Sequence, residues 1–347
     1  MSGTGLPEAC ATPGVTGAAS QPAPGHGFAA IWARLRGVPA LGLVVLLLAM
    51  WLIATIAVPR FGSLENIRNV LRQSSDLSIA ATGILFVLIV GGIDLSVGAI
   101  YGLTSVVLVT VMTATGSAPI ALAAAVVVGL AIGALNGILV EWVKVPAFIT
   151  TLGMYYIAFA LAQMISAGSA LRMPANSAFA TLQTGDVLGV PLLVIVAVIV
   201  AVSAWVLLNR TSFGRAAVAA GYNRVTSGLS GVRVSRVIVE CFAISSLLGA
   251  LGAVLLTSRV QTGEPTLGGF NTTFETITAA VVGGTSLFGG RGTILGVIAG
   301  ALIIRTIGNC ITLLNITPLL YQAVMGSLIV VALVIEALRA RYAGERA

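Results

Sequence analysis

The chain has 347 residues, of which 58% are hydrophobic and only 8% charged, with a formal net charge of +7. A soluble domain carries about a quarter charged residues, so this composition cannot cover a water-exposed body of such size. The basic residues lie at the ends of apolar segments and form no stripe, which excludes a nucleic-acid interface.

Other chemistries fall away on residue type. His26 is the only histidine, and Cys10, Cys241 and Cys310 are scattered without metal or redox spacing. A histidine-based triad, a metal site and a disulfide framework are therefore excluded, and no cofactor is expected.

In chain order, residues 1–36 read as a disordered cytoplasmic tail, rich in Ala, Gly, Pro, Ser and Thr over the first 30. The tail lacks the basic start of a signal peptide, and the apolar run after it is too long for a cleaved one. That run should stay as a membrane anchor. Gly37–Val58, Ala118–Val140 and Ser235–Thr257 each approach or exceed the roughly 20 residues that cross a bilayer. The 41 glycines suit helices that approach closely and break locally.

The fold class read from this pattern is all-α and polytopic, with a transmembrane domain at 37–338 and a cytoplasmic tail at 339–347. Ten crossings are predicted, near 38–58, 75–91, 95–113, 118–141, 147–166, 191–208, 235–257, 274–288, 294–313 and 318–338. The eighth is short, and glycines break the second at its end.

Basic residues give an independent test of this topology. With both termini inside, twelve lie inward: Arg34, Arg36, Lys144, Arg210, Arg215, Arg224, Arg233, Arg236, Arg291, Arg339, Arg341 and Arg346. Five lie outward, namely Arg60, Arg68, Arg72, Arg172 and Arg259, and Arg305 falls inside a span. The excess follows the positive-inside rule. One crossing more or fewer would put the basic 209–236 region and the basic C-terminus on opposite sides.

A short repeat is visible. Val90–Gly98 and Val282–Gly290 both read V-G-G-x-x-L-x-x-G, each where an inward-running helix turns outward. Duplication explains it, as in many transporters, and so does chance likeness between two glycine-rich turns.

The segment Asn209–Val234, NRTSFGRAAVAAGYNRVTSGLSGVRV, is basic, rich in small residues and does not span. Gly214, Gly221, Gly228 and Gly231 are expected to break it into pieces, leaving a short surface helix between glycine turns. It is either a charged loop or an element that docks on a partner protein.

Several motifs resemble those of the ribose-type permease family of bacterial ATP-binding-cassette importers. They are the segment G-R-A-A-V-A-A-G-Y-N-R-V-T-S-G-L-S-G-V-R-V, G-G-I-D-L-S-V-G at 91–98, V-P-A-F-I-T-T-L-G-M at 145–154, and A-A-V-V-G-G-T-S-L-F-G-G-R-G-T at 279–293. They occur in family order and cover most of residues 75–338.

The resemblance implies a multi-pass protein of the bacterial inner membrane. Its partners would be ATPase subunits inside, a second permease (homodimer or heterodimer), and a periplasmic or lipid-anchored sugar-binding protein outside, all within membrane lipid. It also implies that Gly214, Arg215, Gly221, Asn223, Ser227 and Gly231 belong to the helix that couples to the ATPase, within the loop 209–234.

Asp94 has two readings. It can cap the third span, standing just before Leu95-Ser96-Val97, or act as a gate or pathway group together with Ser96, Asn136, Thr151 and Tyr155. Asn136 and the Gly133/Gly137 pair also suit close helix packing.

Glu275 in the eighth span and Arg305 in the ninth are predicted at similar depth, about 20 and 17 Å above their inner ends. Glu275 is the only acid placed deep in a span. Since a lone charge at mid-bilayer costs about 2.5–3.5 kcal/mol, the two are expected to pair, either structurally or at the substrate. The family usually carries two acids here, and this chain has Thr273 and Glu275.

No phosphate-binding G-x-x-x-x-G-K-[ST] occurs, and Lys144 is the only lysine. The chain reads as a non-enzymatic permease that another polypeptide powers. Three functions stay open: a sugar importer permease, a permease of the related branched-chain amino-acid importers, and a stand-alone carrier or channel. Candidate substrate groups are Thr150, Thr151, Tyr155, Tyr156, Phe159, Gln163 and Asn309. The outer segments 167–190 and 258–273 are expected to receive the binding protein.

Overall fold

A computed structural model describes residues 39–342. The tail at 1–36, with Cys10, His26, Arg34 and Arg36, lies outside the described residues, as does Arg346.

The first five helices are α1 (Pro39–Ala57), α2 (Leu64–Ile89), α3 (Val97–Thr115), α4 (Ala118–Glu141) and α5 (Ala147–Ser166). A connection follows, with β1 (Leu171–Arg172), α6 (Ala178–Thr184), β2 (Asp186–Val187) and β3 (Val190–Pro191). Next come α7 (Leu192–Arg210), two short helices α8 (Ser212–Tyr222) and α9 (Arg224–Leu229), α10 (Val234–Val260) and β4 (Thr262–Gly263). The chain closes with α11 (Gly269–Val282), α12 (Ile294–Leu313) and α13 (Pro318–Tyr342).

Among the described residues, six helices are long and apolar enough to cross a membrane: α3, α4, α5, α7, α10 and α12. In α1 and α13 the apolar stretches are shorter, Leu41–Ala57 and Leu319–Val331.

The expected second span begins well before residue 75. Ser63 caps α2 by accepting the Asn66 N–H, and Glu65 faces the positive end of the helix dipole, so the helix starts eleven residues earlier at Leu64. The eighth element is also displaced: α11 has 14 residues and ends at Val282 rather than 288. Helix α13 runs on to Tyr342, past the expected start of the tail at 339.

Both α2 and α11 end in the same turn. Gly91 (φ 73) and Gly284 (φ 85) take the left-handed conformation, which glycine adopts without steric cost. The following N–H then reaches back five residues, Gly92 to the Val87 carbonyl (2.9 Å) and Thr285 to that of Ala280 (3.0 Å). The equivalent glycines are thus one residue out of step with the V-G-G alignment.

The core is built on α2, α3, α10 and α12. Leu77, Ile84, Leu85 and Phe86 of α2 pack with Tyr101 of α3, Phe242 of α10, and Val297 and Ile304 of α12. Helices α3 and α10 are mostly enclosed, whereas α4, α5 and α7 turn most of their apolar surface outward.

Glycines at i, i+4 and i+8 bring α4 directly against α10. A Cβ on Gly129, Gly133 or Gly137 would stand 2.7 Å from an atom of Ala250, Ala243 or Val239, respectively. Strand β1 pairs antiparallel with β4, Leu171 opposite Gly263. The segments 167–190 and 258–273, expected to lie outside, are thereby joined.

Candidate transport and coupling site

Helix α8 starts where Thr211 Oγ1 accepts the Gly214 N–H (3.2 Å). Asn223 Oδ1 accepts the Thr226 N–H (3.0 Å) to start α9, and left-handed Gly231 closes the segment. The expectation that Gly214, Gly221 and Gly228 break the chain is corrected: all three lie within helices, and the breaks fall at capping residues.

Gly221 is a seat rather than a hinge, because a Cβ there would overlap the Ile89 carbonyl at the end of α2. The Gly290 N–H donates to that same carbonyl (2.8 Å), and a Cβ on Gly289 would lie 2.8 Å from the Gly221 carbonyl. The loop after α2 and the loop after α11 therefore converge on one face of α8. Arg215 is exposed on this helix, and Ser227 is buried on α9.

Asp94 is buried in the loop between α2 and α3. Its Oδ1 accepts from Ser96 N–H (2.9 Å) and Ser96 Oγ (2.6 Å), and Oδ2 accepts from Ser245 Oγ of α10 (3.0 Å). Burial raises its carboxyl above the ordinary carboxylate range, opposed by the bonds from Ser96 and Ser245.

The cap expected of Asp94 is displaced, since the N-cap position of α3 is Ser96. Thr273 Oγ1, where the resemblance expects a second acid, accepts the Gly98 N–H in the first turn of α3 (3.0 Å). Asn136 Nδ2 donates to Ser96 Oγ (3.0 Å), and Thr151 Oγ1 donates to the carbonyls of Ala147 (2.8 Å) and Ile93 (3.3 Å). Asp94, Ser96, Asn136 and Thr151 are thus gathered round one loop.

Tyr155 stands apart from this group. It stacks on Phe270 with ring centroids 4.1 Å apart, and Tyr156, Phe159 and Phe274 extend the cluster. Tyr156, Phe270 and Phe274 are exposed, giving an aromatic face shared by α5 and α11. Asn309, a candidate substrate group, instead exchanges two hydrogen bonds with Asn66, at 3.0 and 2.9 Å.

The structure brings Glu275 and Arg305 together, with Arg305 Nη1 2.9 Å from Glu275 Oε2. The pair belongs to a larger network. Arg305 Nη2 lies 3.4 Å from Asp76 Oδ2, Arg305 Nε donates to the Gln73 carbonyl (3.1 Å), and Arg259 Nη2 lies 3.6 Å from Asp76 Oδ1. Tyr321 Oη donates to Glu275 Oε1 (2.9 Å). One guanidinium thereby ties α12 to α2 and α11, and the acids extend the tie to α10 and α13.

The expectation of a single deep acid is corrected, since Asp76 of α2 is only 1% exposed. A second span that starts at residue 75 puts this acid at the span's edge. Arg259 was assigned to the outer loop, yet α10 runs to Val260. Ser63 followed by Glu65 was the available signal of the earlier helix start.

Glu141, the last residue of α4, forms another buried polar node. Its Oε1 accepts from Lys144 Nζ (2.8 Å) and Ser235 Oγ (2.9 Å), and Arg224 Nη1 lies 3.7 Å from Oε2. Arg224 Nη2 also donates to the Val90 carbonyl (3.2 Å). Among the described residues, no three His, Cys, Asp or Glu side chains are grouped to hold a metal.

The family profile described as branched-chain amino acid transport system / permease component matches residues 66–333. The chain is 35% identical over 280 residues to the ribose import permease of Haemophilus influenzae, covering 80% of this chain and 86% of that protein. It is 37% identical over 303 residues to the ribose import permease of Bacillus subtilis, covering 86% and 91%. The fructose import permease of Rhizobium meliloti is 35% identical over 309 residues, covering 86% and 84%.

No solved structure matches. The chain belongs to the family of branched-chain amino acid transport system permease components, in which it is a transport permease and not an enzyme.

Proposed function

We propose that this permease is the membrane subunit of an ATP-driven importer that moves a monosaccharide inward. The observation that carries the substrate class is that the relatives named above are ribose and fructose import permeases, each covering four fifths or more of this chain. The exposed aromatic face of Tyr156, Phe270 and Phe274 supports a neutral sugar, whose C–H faces stack on flat rings.

Ten crossings with both termini in the cytoplasm are the topology we favour, in a bacterial inner membrane. The inward excess of basic residues, twelve against five, supports it. The joined outer segments around β1 and β4 offer a surface for a sugar-binding protein. A second permease, identical or not, would cover outward-facing apolar helices.

The α8–α9 segment is read as the coupling element on which a separate ATPase acts. The contact of Gly221 with the ends of both glycine loops supports this, because a rigid shift of α8 would move α2 and α11 together. Asp94, Ser96, Asn136 and Thr151 then line the inner gate, and the Glu275–Arg305 pair braces the bundle.

The family description also names branched-chain amino acids, so one experiment sets the two substrates against each other. The assembled complex in proteoliposomes is given its binding protein loaded with pentoses, hexoses, polyols, leucine or valine, and ATPase stimulation is measured. Stimulation by a sugar is expected. Stimulation by the amino acids alone, or by none of the ligands, would overturn the assignment.

A further inference from the structure

A steric seat transmits force in one direction. The contact of Gly221 with the Ile89 carbonyl firmly resists approach, whereas at that contact only weak dispersion attraction opposes separation. A transporter that alternates between two states must be moved both ways.

A second connection of another kind lies one turn away. Arg224, the first residue of α9, donates from Nη2 to the Val90 carbonyl (3.2 Å) and places Nη1 3.7 Å from Glu141 Oε2. Val90 is the C-cap of α2, where the helix dipole concentrates partial negative charge. Glu141 ends α4 and is fixed by Lys144 and, through Ser235, by the first turn of α10.

Around this link lies a cavity of about 280 Å³, lined in part by Val90, Gly91, Gly92, Glu141, Lys144 and Arg224. Side chains do not fill the space between α9 and these helix ends. Polar bonds, not close packing, hold the elements together there.

We propose that Arg224 is a tension link: a positioning residue through which withdrawal of the α8–α9 segment draws the inner ends of α2 and α4 after it, with Glu141 as its anchor. This rests on the reading that an ATPase acts on α8–α9. One guanidinium that hydrogen-bonds a carbonyl and sits 3.7 Å from a carboxylate by ionic attraction resists separation more than the Gly221 seat does.

The test is the amount of solute moved per ATP by the whole complex in proteoliposomes with its loaded binding protein. For Arg224→Ala, stimulated ATP hydrolysis should persist while transport per ATP falls about fivefold or more, the low end of ordinary coupling energies. Arg224→Lys should be intermediate, because a point charge cannot serve both acceptors. Glu141→Gln should act in the same direction, and the double variant with Arg224→Ala should be no worse than Arg224→Ala alone.

Arg236→Ala is the control, removing a like charge that, among the described residues, pairs with Glu240 alone on the exposed face of α10, and it should keep wild-type coupling. Wild-type coupling in Arg224→Ala, or an equal loss in Arg236→Ala, overturns the link. Should Arg224→Ala fail to assemble, Arg224→Lys and Glu141→Gln decide by the same ratio. A wild-type chain that binds no ATPase defeats the coupling reading itself, and the link falls with it.

Discussion

Replacing Arg305 by methionine leaves a hydrophobic stem of similar length and removes the charge that Asp76 and Glu275 share. The two acids do not suffer equally. Asp76 keeps Arg259 at 3.6 Å, while Glu275 keeps, among the described residues, the Tyr321 hydroxyl at 2.9 Å. Stripping one partner from a buried pair costs about 3–5 kcal/mol, because the remaining charge stays desolvated.

At roughly 2 °C per kcal/mol for a chain of this size, the Tm of the detergent-solubilised protein should fall by about 6–10 °C. Adding Glu275→Gln removes the stranded charge, so the double variant should recover most of the loss. Scanning fluorimetry on the three proteins checks both statements. A fall in Tm of less than about 2 °C in Arg305→Met, well short of the cost of a stranded charge, would refute the reasoning. So would a double variant as unstable as the single one.

Three further outcomes follow from the same contacts. Gly221→Ala should abolish transport, since its Cβ would overlap the Ile89 carbonyl, whereas Gly228→Ala, with nothing within 4 Å, should transport normally in the same uptake assay. Phe270→Ala, which removes the ring stacked on Tyr155, should weaken transport through a higher half-saturation concentration of loaded binding protein or solute, by about 0.5–1.5 kcal/mol or up to roughly tenfold. Gly133→Val should separate α4 from α10, where 2.7 Å leaves no room for side-chain atoms, and lower Tm by several degrees, about 1–3 kcal/mol.

The apolar helices were legible because their hydropathy does not depend on neighbours, so the ends of α4 and α5 fall where the sequence puts them. Helix α2 was cut short because its first turns carry Glu65, Arg68 and Arg72, which a search for apolar runs discards. Asp76 was kept, one residue inside the predicted span, and so was placed at its edge. The Glu275–Arg305 contact could be reasoned from depth alone, but its further partners come from three other helices, and no local pattern announces them.

Gly221 was readable as a glycine in a basic segment. What it touches, the end of α2, lies more than a hundred residues earlier in the chain. Asp94 offered a local cap signal, yet Ser245 on α10 completes its shell, and that pairing exists only in the fold.

The twin left-handed turns at Gly91 and Gly284 carry a consequence for any comparison of the two halves. Superposing the turns sets Asp94 opposite Leu287, whereas aligning the letters sets it opposite Ser286. On the structural register the acid is matched by a residue with an apolar side chain. If the halves descend from one ancestor, they have divided their labour: one loop kept a buried carboxylate bonded to Ser96 and Ser245, and the other kept the bend and the glycines that meet α8.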